Sequence, residues 1–579
     1  MCGIIGYVGQ RRAAEVLTHA LKHLEYRGYD SVGIAVKDGS TITVRKDKGM
    51  VDEVSKKHSF LTMGGSIGIG HTRWATHGVP CQENSHPHFD CTKNIVLVHN
   101  GVIENFQELK EDVLKKGHKF TSETDSEIVA HMLEDNLKSN SDVLSVMSDV
   151  VNKIHGSYSF VVMAGNKKEL YLARKNSPLV IGIGKGEMFC ASDIPALLPY
   201  TSKFVQLEEG DLAVLSETGY NVLDHNRKPT TRKEFSVNWN IEMAQKGGYE
   251  HFMLKEIHDQ GHFITESLAS DTTSAKKLLD KYSRIDIVAA GTSYHAGLLF
   301  AILLQREGKN AQAFIASDYP FVAVPTKNTL VVAISQSGET ADVLQSIRFV
   351  KSKSAKILSI TNVVGSTITN LSDEVVYLNT GPEIGVAATK TFTAELAVIY
   401  KLMFAKERLS SIKNIFEKML ESESEVKSVA AKLKNVKNAF FIARGISVPI
   451  AQEGSLKFKE ITYIHSEAYP GGELKHGTLS LIEEGIPVIV IAPKDETSSK
   501  IIGNLKEAKT RGALIISITN DENIRKESDI SISIPTLDDP VLYPFAMIIP
   551  LQLLAYYVST LRGINPDKPR NLAKSVTVE

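Results

Sequence analysis

The sequence predicts a multidomain protein that combines the α+β and α/β classes: one strand-rich domain, then two copies of a parallel α/β unit. The length of 579 residues is enough for roughly four domains. Residues 1–220 contain short β-branched runs with helical stretches between them. Beyond residue 250, apolar runs end in Gly/Ser loops and alternate with amphipathic helices, which is typical of a parallel sheet covered by helices.

Charge and cysteine content exclude several classes of protein. The 66 Lys and Arg residues balance 67 Asp and Glu residues, so we expect no nucleic-acid-binding surface. No uninterrupted apolar run reaches roughly 18 residues, and the N-terminus has no basic segment followed by an apolar stretch, so we expect neither a membrane span nor a secretory signal. Only four cysteines occur, which favours a cytoplasmic protein with reduced thiols.

The first domain is predicted to span residues 1–222. Its strands are indicated by runs such as Ile67–Ile69, Ile95–Val98 and Tyr158–Met163. The residues that follow, 223–250, are polar and aperiodic and contain a glycine pair, so we expect a linker there.

The remainder of the chain is predicted to contain an internal duplication. Three short motifs recur in the same order at nearly one offset, which argues for a repeat rather than chance. The pairs are Ala290-Gly291-Thr292-Ser293 with Arg444-Gly445-Ile446-Ser447, Ser337-Gly338-Glu339-Thr340 with Lys494-Asp495-Glu496-Thr497, and Leu358-Ser359-Ile360-Thr361-Asn362 with Ile516-Ser517-Ile518-Thr519-Asn520. We therefore expect two related domains, 251–405 and 436–562, joined by a charged connecting helix, 406–435, and followed by a tail, 563–579.

Cys2 is the most informative residue of the chain. Removal of Met1 would leave its thiol on the residue that bears the free α-amino group. An α-amino group has a pKa of roughly 7.7–8.0, close to what a general base needs, so nucleophile and base would belong to one residue. A cysteine near a first strand is otherwise an ordinary small hydrophobic residue, so other residues must decide between these interpretations.

Three clusters supply partners that a reaction at Cys2 needs. Arg73 has a planar guanidinium that suits a substrate carboxylate. Asn100 and Gly101 follow a predicted strand and can hold a developing oxyanion through an amide and a backbone N–H. Asp125 offers a carboxylate for an ammonium group. Taken singly, the clusters also fit a surface ion pair, a turn and a helix N-cap.

Together with Cys2 and the segment Glu25-Tyr26-Arg27-Gly28-Tyr29-Asp30-Ser31, these clusters resemble the N-terminal-nucleophile glutamine amidotransferases across residues 1–220. The resemblance implies an αββα glutaminase sandwich in which Cys2 attacks the side-chain amide of L-glutamine and releases glutamate and ammonia. It implies that Asn100 and Gly101 form the oxyanion hole. The implied glutamine-binding residues are Arg73, Trp74, Thr76, His77 and Asp125.

A metal centre is not expected. Cys81, His86, His88 and Cys91 lie within eleven residues, but a Cys-x9-Cys spacing that encloses His-x-His matches no common zinc pattern. We therefore predict no metal and no other cofactor, and expect His86 to lie in a turn.

The first repeat contains a candidate phosphate site. The segment Ser335–Thr340 follows the apolar run Thr329–Ile334 and precedes a predicted helix. Its hydroxyl groups, glycine and helix N-terminus suit an anion, although an ordinary helix cap uses the same residue types. The second repeat has Lys494-Asp495 where the first has Ser337-Gly338, so we expect only the first to bind phosphate. Thr292 and Ser293 follow a neighbouring strand and can reach the same crevice.

Further reactive side chains are concentrated towards the C-terminus. Glu453, Lys457 and Glu460 have the spacing i, i+4, i+7 and so share one face of a helix, which is also typical of a solvated, ion-paired face. His476 stands just before a turn. The tail that contains Lys574 lacks the polar composition of a disordered segment, so we expect it to dock.

The whole chain resembles the glutamine–fructose-6-phosphate aminotransferase (isomerising) family. The resemblance rests on the Ser-Gln-Ser-Gly-Glu-Thr loop, Gly385-Val386-Ala387 with Thr389-Lys390, Glu-Leu-Lys-His-Gly at 473–477 and the terminal Lys-Ser-Val-Thr-Val-Glu. It implies two doubly wound flavodoxin-like sugar-isomerase domains, conversion of fructose 6-phosphate to glucosamine 6-phosphate, and a homodimer or larger homo-oligomer.

The same resemblance implies roles for individual residues. Lys574 would form an imine with the C2 ketone of the sugar, and Glu460 would move a proton between C1 and C2. His476 would assist ring opening from the neighbouring subunit. The residues expected to bind or orient the sugar phosphate are Thr292, Ser293, Ser335, Gln336, Ser337, Thr340, Val386, Glu453, Lys457 and Ala573.

Two alternative functions were weighed against this one. Another N-terminal-cysteine amidotransferase, such as one that uses phosphoribosyl pyrophosphate, is disfavoured because no acidic pair in an apolar strand precedes a pyrophosphate loop. A sugar-phosphate sensor with a degenerate glutaminase would not need Glu460, His476 and Lys574 together. The family resemblance also implies a dry path for ammonia between the two sites, with Trp74 as its gate.

Overall fold

Two antiparallel sheets form the centre of the first domain in the computed structural model, which describes residues 2–75, 78–237 and 246–576. The described strands are β1 (Gly3–Val8), β2 (Ser31–Asp38), β3 (Thr41–Lys48), β4 (Ile67–Arg73), β5 (His88–Phe89), β6 (Ile95–Ile103), β7 (Gly156–Ala164), β8 (Leu170–Lys175), β9 (Val180–Ile183), β10 (Met188–Ala191), β11 (Lys203–Gln206), β12 (Leu212–Ser216), β13 (Gly219–Leu223), β14 (Pro229–Thr230) and β15 (Glu234–Ser236). One sheet has the order β15-β11-β9-β10-β1-β4-β2-β3 and the other β14-β13-β12-β8-β7-β6-β5.

Helices cover the outer face of each sheet. The helices are α1 (Ala13–Lys22) and α2 (Val51–Lys57) on the first sheet, and α3 (Phe106–Lys115), α4 (Glu127–Leu137) and α5 (Val143–Val151) on the second. Along β1, Ile4 and Val8 face the second sheet, whereas Ile5 and Tyr7 pack under α1. Side chains alternate along a strand, so a strand buried on both faces needs a continuous apolar run. The predicted αββα sandwich is confirmed.

The second domain is built on a five-stranded parallel sheet. Its strands are β16 (Arg284–Ala289), β17 (Asn310–Ile315), β18 (Thr329–Ile334), β19 (Lys356–Thr361) and β20 (Glu374–Tyr377), in the order β17-β16-β18-β19-β20. Its helices are α6 (Phe252–Ala269), α7 (Thr273–Lys281), α8 (Gly291–Arg306), α9 (Tyr319–Val322), α10 (Ala341–Ser352), α11 (Thr367–Leu371) and α12 (Lys390–Met403). This strand order is flavodoxin-like, and ligands bind such sheets at the carboxyl ends of the strands.

The third domain repeats this topology. After α13 (Ile412–Leu420) and α14 (Glu423–Leu433), its strands are β21 (Asn438–Ala443), β22 (His465–Pro470), β23 (Pro487–Ile491), β24 (Leu514–Thr519) and β25 (Ile530–Ser533), in the order β22-β21-β23-β24-β25. Its helices are α15 (Val448–Thr462), α16 (Ser498–Lys509), α17 (Glu522–Glu527) and α18 (Tyr543–Leu561). The predicted pair of doubly wound domains is confirmed.

One hydrophobic core runs through both parallel-sheet domains, because helices from each pack against helices of the other. The helical stretch Pro540–Leu561, which includes α18, is by length and composition apolar enough to cross a membrane, and 94% of its most apolar window is buried. Gln552 interrupts its apolar sequence and accepts a hydrogen bond from Gln260 of α6 at 2.8 Å. This stretch therefore serves as a core helix of the two-domain unit.

Two predicted boundaries need correction. Residues 223–250 are not all linker, because β14 pairs with β13 and β15 pairs with β11, so the first domain continues through the strands of this stretch. Residues 406–435 are not one connecting helix: a 3-10 turn at 406–409 precedes α13 and α14, which pack against α18 and belong to the shared core. The tail docks as predicted, and its last described residue is Val576.

Candidate active sites

Cys2 lies just before β1, beside the end of β4. The backbone N–H of Trp74 donates a hydrogen bond to its Sγ at 3.2 Å, because Gly3 pairs with Thr72 and brings the two strand ends together. Burial raises the pKa of the Cys2 thiol, and the Trp74 N–H and the Arg73 charge partly oppose that rise. The thiol is therefore held next to the cluster that the sequence placed with it.

Asn100 and Gly101 lie in β6, next to Cys2. The Nδ2 of Asn100 donates to the backbone carbonyl of Cys2 at 2.9 Å, so the donor end of this amide faces the cysteine. Gly101 has φ of +132°, and a Cβ there would lie 2.0 Å from the carbonyl oxygen of Ser157. Only glycine fits at this position, which keeps the backbone beside Asn100 free of a side chain.

His71 is a positioning residue that the sequence reasoning missed. Its Nε2 lies 3.0 Å from Oδ1 of Asn100 and 3.0 Å from the carbonyl oxygen of His99. Both partners are acceptors, so we assign the proton to Nε2. Burial lowers the pKa of His71 to about 3, so the ring is neutral near pH 7. His71 thus fixes which end of the Asn100 amide faces Cys2.

The two residues predicted to clamp glutamine are buried near Cys2. Arg73 is 3% exposed and donates to the carbonyl of Gly78 at 3.1 Å. Burial lowers its pKa, and the charges of Cys2 and Asp125 act in the opposite direction. One oxygen of Asp125 accepts the N–H of Ile103 at 2.8 Å.

The remaining predicted glutamine-binding residues are Trp74, Thr76 and His77. The Trp74 ring makes an edge contact with Tyr29, with centroids 5.6 Å apart. Thr76 and His77 lie outside the residues that the structure describes.

A second site opens at the carboxyl ends of the strands in the second domain. A cavity of about 280 Å³ lies there, bounded by both parallel-sheet domains and by the C-terminal tail. The predicted sugar-phosphate-binding residues that line it are Thr292, Ser293, Ser335, Gln336, Ser337, Thr340, Val386, Lys457 and Ala573, and the predicted catalytic residues Glu460 and Lys574 line it as well. The structure therefore brings together residues that lie up to 282 positions apart (292 to 574).

The loop after β18 supplies the hydroxyl groups of this cavity. The Oγ of Ser335 lies 3.0 Å from Oγ1 of Thr340 and accepts the N–H of Gly338 at 3.2 Å. Gly338 has φ of +65°, and a Cβ there would lie 2.2 Å from Oγ of Ser366. The tight turn therefore requires glycine at this position. The turn places the hydroxyl groups beside the N-terminus of α10, where the helix dipole favours an anion.

One face of α15 supplies the charged groups. Nζ of Lys457 donates to Oε2 of Glu460 at 2.5 Å and to Oγ1 of Thr292 at 2.9 Å. Burial lowers the pKa of Lys457, but the carboxylates of Glu453 and Glu460 outweigh burial and raise it overall. Lys457 is therefore a fixed cation, and Glu453, which lies beneath the cavity wall, is one of its two carboxylate neighbours.

Lys574 is held by a buried carboxylate that the sequence reasoning missed. Its Nζ contacts Oε2 of Glu383 and donates to the carbonyl oxygen of Gly385 at 2.8 Å. Burial alone would raise the pKa of Glu383, but the Lys574 ammonium outweighs burial and lowers it. The tail is also held just after this residue, since Oγ of Ser575 lies 2.9 Å from Oγ of Ser337.

Two further acidic and basic partners escaped notice in the sequence. Glu395 of α12 accepts the Ser293 hydroxyl at 2.7 Å, and burial raises its pKa to about 8. Nδ1 of His295 lies 2.7 Å from Oε2 of Glu453. His295 follows Thr292 and Ser293 in the same helix, which is a usable signal, whereas Glu395 lies in an apolar helix with nothing nearby in sequence to mark it.

Of the three residues predicted to act on the sugar, Glu460 and Lys574 line the cavity of the second domain and His476 does not. It ends a 3-10 helix, Gly471–His476, and is exposed. Its neighbour Lys475 pairs with Glu507 on the surface at 3.0 Å. His476 is therefore displayed outwards from the third domain.

The first domain and the tail meet between the two sites. Tyr29 donates to the carbonyl of Pro569 at 2.8 Å, and Lys568 pairs with Glu25 at 2.6 Å. A cavity of about 60 Å³ near this contact is lined by Arg27 and by Lys574, among others. Nε of Arg27 also donates to the carbonyl of Cys2 at 3.3 Å, so one small cavity lies between neighbours of both reactive groups.

Comparison with known families agrees with this layout. Residues 71–199 match the family described as glutamine amidotransferase domain, and residues 278–405 and 432–562 match the family described as SIS domain. Fold and site together define a glutamine amidotransferase joined to paired sugar-isomerase domains.

Full-length relatives make the assignment more specific. The chain is 47% identical over 601 aligned residues to a glutamine–fructose-6-phosphate aminotransferase [isomerizing] of Pyrococcus horikoshii and 46% identical over 603 to that of Thermococcus kodakarensis, with 100% of both chains covered in each case. The solved C-terminal domain of the glucosamine-fructose-6-phosphate aminotransferase of Francisella tularensis covers 56% of this chain and 100% of its own, with 33% identity and a TM-score of 0.53. The chain belongs to the glutamine–fructose-6-phosphate aminotransferase (isomerising) family.

Proposed function

We propose that this protein makes glucosamine 6-phosphate from fructose 6-phosphate and L-glutamine in the cytoplasm. This reaction would be the entry step of amino-sugar nucleotide synthesis. One observation carries the proposal. A single cavity gathers a hydroxyl-lined helix N-terminus, a carboxylate on α15 and the amine of Lys574. These are an anion site, a proton-transfer group and an imine-forming amine, which are the three parts that amination of a ketose phosphate requires.

In the first half-reaction, Cys2 attacks the carbon of the glutamine side-chain amide once Met1 has been removed. The α-amine of Cys2 takes the thiol proton and returns it to the leaving nitrogen. The oxyanion would be stabilised by Nδ2 of Asn100, whose orientation His71 fixes at 3.0 Å, and by the N–H of Gly101. Water then cleaves the thioester to give glutamate. Arg73 and Asp125 would bind the carboxylate and ammonium of the substrate.

In the second half-reaction, the phosphate group would bind the hydroxyls of Ser335, Ser337 and Thr340. Lys574 attacks the C2 ketone and loses water to form an imine. The amine must first lose a proton, and the carboxylate of Glu383, in contact with Nζ, can accept it. Ammonia then displaces the lysine at C2.

Isomerisation completes the reaction. Glu460 lies on the cavity wall and would remove a proton from C1 and return one to C2, which converts the ketose imine to the aldose amine. Lys457 holds Glu460 at 2.5 Å and so sets the position of this carboxylate. Because His476 faces outwards from its own chain, a homodimer in which it reaches the neighbouring cavity would supply the group that opens the sugar ring.

Ammonia must pass from one site to the other before it takes up a proton from water. The small cavity between Arg27 and Lys574 and the contact of Tyr29 with Trp74 and with the tail are compatible with an enclosed path. Protonated ammonia is not a nucleophile, so such a path raises the yield of amino sugar per glutamine.

The test is product analysis with glutamine, with and without fructose 6-phosphate, for the purified protein and for Cys2→Ala. We expect equimolar glutamate and glucosamine 6-phosphate, little glutamate without the sugar, and loss of both glutamine-dependent products in the variant. Glutamate without amino sugar would leave the glutaminase but refute the acceptor. Neither product from folded, processed protein would favour a sugar-phosphate sensor.

A further inference from the structure

Four side chains with metal-binding atoms converge on the outer face of the first domain, away from Cys2 in sequence and role. They are Cys91, His118, His131 and Glu134. Their donor atoms all lie within 4.8 Å of one another. Cys91 belongs to the turn between β5 and β6, His118 precedes α4, and the last two lie one helical turn apart on α4.

Four of the six separations between these donor atoms are close to the edges of one coordination tetrahedron, and the other two are at most 4.8 Å. Sγ of Cys91 lies 3.5 Å from Nδ1 of His118 and 3.5 Å from Nδ1 of His131. Oε2 of Glu134 lies 3.2 Å and 3.8 Å from the same two nitrogens. Zinc bonds of about 2.3 Å to sulfur and about 2.0–2.1 Å to nitrogen or oxygen give tetrahedral edges of about 3.3–3.6 Å. The observed separations scatter around these values.

The outer nitrogens of both histidines face carboxylates. Nε2 of His118 lies 2.8 Å from Oδ1 of Asp135, and Nε2 of His131 lies 3.5 Å from Oε1 of Glu127. The hydrogen bond to Asp135 keeps the proton of His118 on Nε2, so the lone pair of its Nδ1 points to the centre of the cluster. At His131 the longer separation places the Glu127 charge beside Nε2 without a hydrogen bond. Metal-bound histidines commonly use this arrangement to fix the tautomer and orientation of the ring.

Charge and burial also suit a divalent cation. A Cys91 thiolate and the Glu134 carboxylate together carry the two negative charges that neutralise Zn²⁺. Both histidines are buried, at 5% and 1% exposure, whereas Cys91 is exposed and gives the ion a route in. The backbone N–H of Lys119 lies 3.5 Å from Sγ of Cys91 and can donate to a thiolate. Mixed sulfur, nitrogen and oxygen ligands in tetrahedral array favour zinc over magnesium or calcium.

We propose that Cys91, His118, His131 and Glu134 bind a structural Zn²⁺ ion. With four protein ligands the site is closed, so the ion acts on stability rather than on the reaction. It ties the turn before β6 to α4, the helix that begins two residues after Asp125. Spacing in the sequence did not indicate this set, because the partners of Cys91 come from distant parts of the first domain. The nearby His86 and His88 are not among them, and their ring centroids lie 4.4 Å from each other.

Metal content tests the proposal directly. The full-length protein is purified without chelator, incubated with ZnCl₂, desalted and analysed by plasma mass spectrometry, alongside Cys91→Ala, His118→Ala and the matched control Cys81→Ala. We expect about one zinc per chain in the wild type and in the control, and loss of most of it in the other two variants. No zinc in the reconstituted wild type, or undiminished zinc in both site variants, would overturn the proposal.

Cobalt substitution keeps the test decisive should the site variants fold poorly. Wild-type protein loaded with Co²⁺ alone should show the intense visible bands of tetrahedral cobalt and a near-ultraviolet thiolate-to-metal charge-transfer band. Bound cobalt without the thiolate band would refute ligation by Cys91. A chelator should also lower the midpoint of thermal unfolding of the wild type, and an unchanged midpoint after verified removal of the metal would refute the structural role.

Discussion

The two parallel-sheet domains share a topology and differ in the loops at the carboxyl ends of their strands. Both have the strand order 2-1-3-4-5 and have a glycine with positive φ two residues after the first strand, +54° at Gly291 and +56° at Gly445. Their loops after the third strand of the order diverge. In the second domain Ser335, Ser337 and Thr340 line a cavity, whereas in the third domain a carboxylate of the chain itself accepts hydrogen bonds at the start of the corresponding helix.

Asp495 is that carboxylate. Its Oδ1 accepts the N–H and the hydroxyl of Thr497, each at 2.7 Å, just before α16 begins. A helix N-terminus attracts one anion, and here a side chain supplies it. The third domain instead contributes Lys457 and Glu460 of α15 to the cavity of the second domain. Duplication thus provided two domains of one topology, of which one contains the proposed phosphate site and the other supplies charged side chains to the same cavity.

The largest expected effect comes from a change in the C-terminal tail, which lines the cavity at the strand ends of the second domain. Replacing Lys574 with Ala should abolish glucosamine 6-phosphate synthesis, a loss of at least about a thousandfold. The other amine on the cavity wall, Lys457, is held as a cation by Glu453 and Glu460 and so cannot replace it. Product assays measure the loss, and reduction with borohydride in the presence of fructose 6-phosphate should attach the sugar to the wild type only.

Lys574→Arg is the matched control, since it preserves the ion pair with Glu383 but cannot form an imine. It should be as inactive as the alanine variant. Synthesis by either variant at the wild-type rate would remove Lys574 from the mechanism.

The next effect tests the proposed phosphate-binding loop, residues 335–340. Ser337→Asp introduces a carboxylate near the position where the third domain has Asp495, and should raise KM for fructose 6-phosphate by about tenfold to a hundredfold through charge repulsion. Asp495→Asn, in the third domain, should leave that KM unchanged and remove only a negative charge beside the N-terminus of α16, which should lower stability by about 0.3–1 kcal/mol. If both variants alter KM equally, the proposed division of labour between the domains is wrong.

The last effect concerns the dependence of stability on pH and not the reaction. Burial raises the pKa of Glu395 to about 8, whereas an unfolded glutamate titrates near about 4.3. The folded state therefore keeps a proton that the unfolded state releases, and the free energy of unfolding falls as pH rises from about 4.3 to about 8. The neutral Gln552 of α18 lies 157 positions after Glu395, the same offset as that between Thr340 and Thr497 in the repeated motifs.

Glu395→Gln introduces the same neutral side chain at this position. It should reduce the fall in the free energy of unfolding between about pH 4.3 and about pH 8 by up to about 5 kcal/mol. The measurement compares the midpoints of thermal unfolding of variant and wild type at pH 5 and pH 9. The advantage of the variant should be greater at pH 9. An equal difference at both pH values would mean that Glu395 does not titrate in this window.

How much the sequence could predict depended on the range of each signal. Thr329–Ile334 was predicted as a strand with the observed bounds, because a strand buried on both faces is a continuous apolar run. The strands β14 and β15, two and three residues long, have no periodicity to detect, so the first domain was ended too early. The charged stretch 406–435 was predicted as one helix because charge reports solvent exposure on one side but not where a helix ends.

The chain by itself determined its reactive groups: Cys2 at the N-terminus, the hydroxyl loop after a buried strand, and the i, i+4, i+7 face of α15. These are local patterns, and chemistry that depends on residue type and short spacing can be predicted from them. Only the tertiary structure decided which distant groups meet: His71 with Asn100, Glu383 with Lys574, and Cys91 with His118 and His131. Such contacts join residues between 27 and 191 positions apart, and no spacing rule reaches across a fold, because burial and sheet pairing, not sequence distance, bring them together.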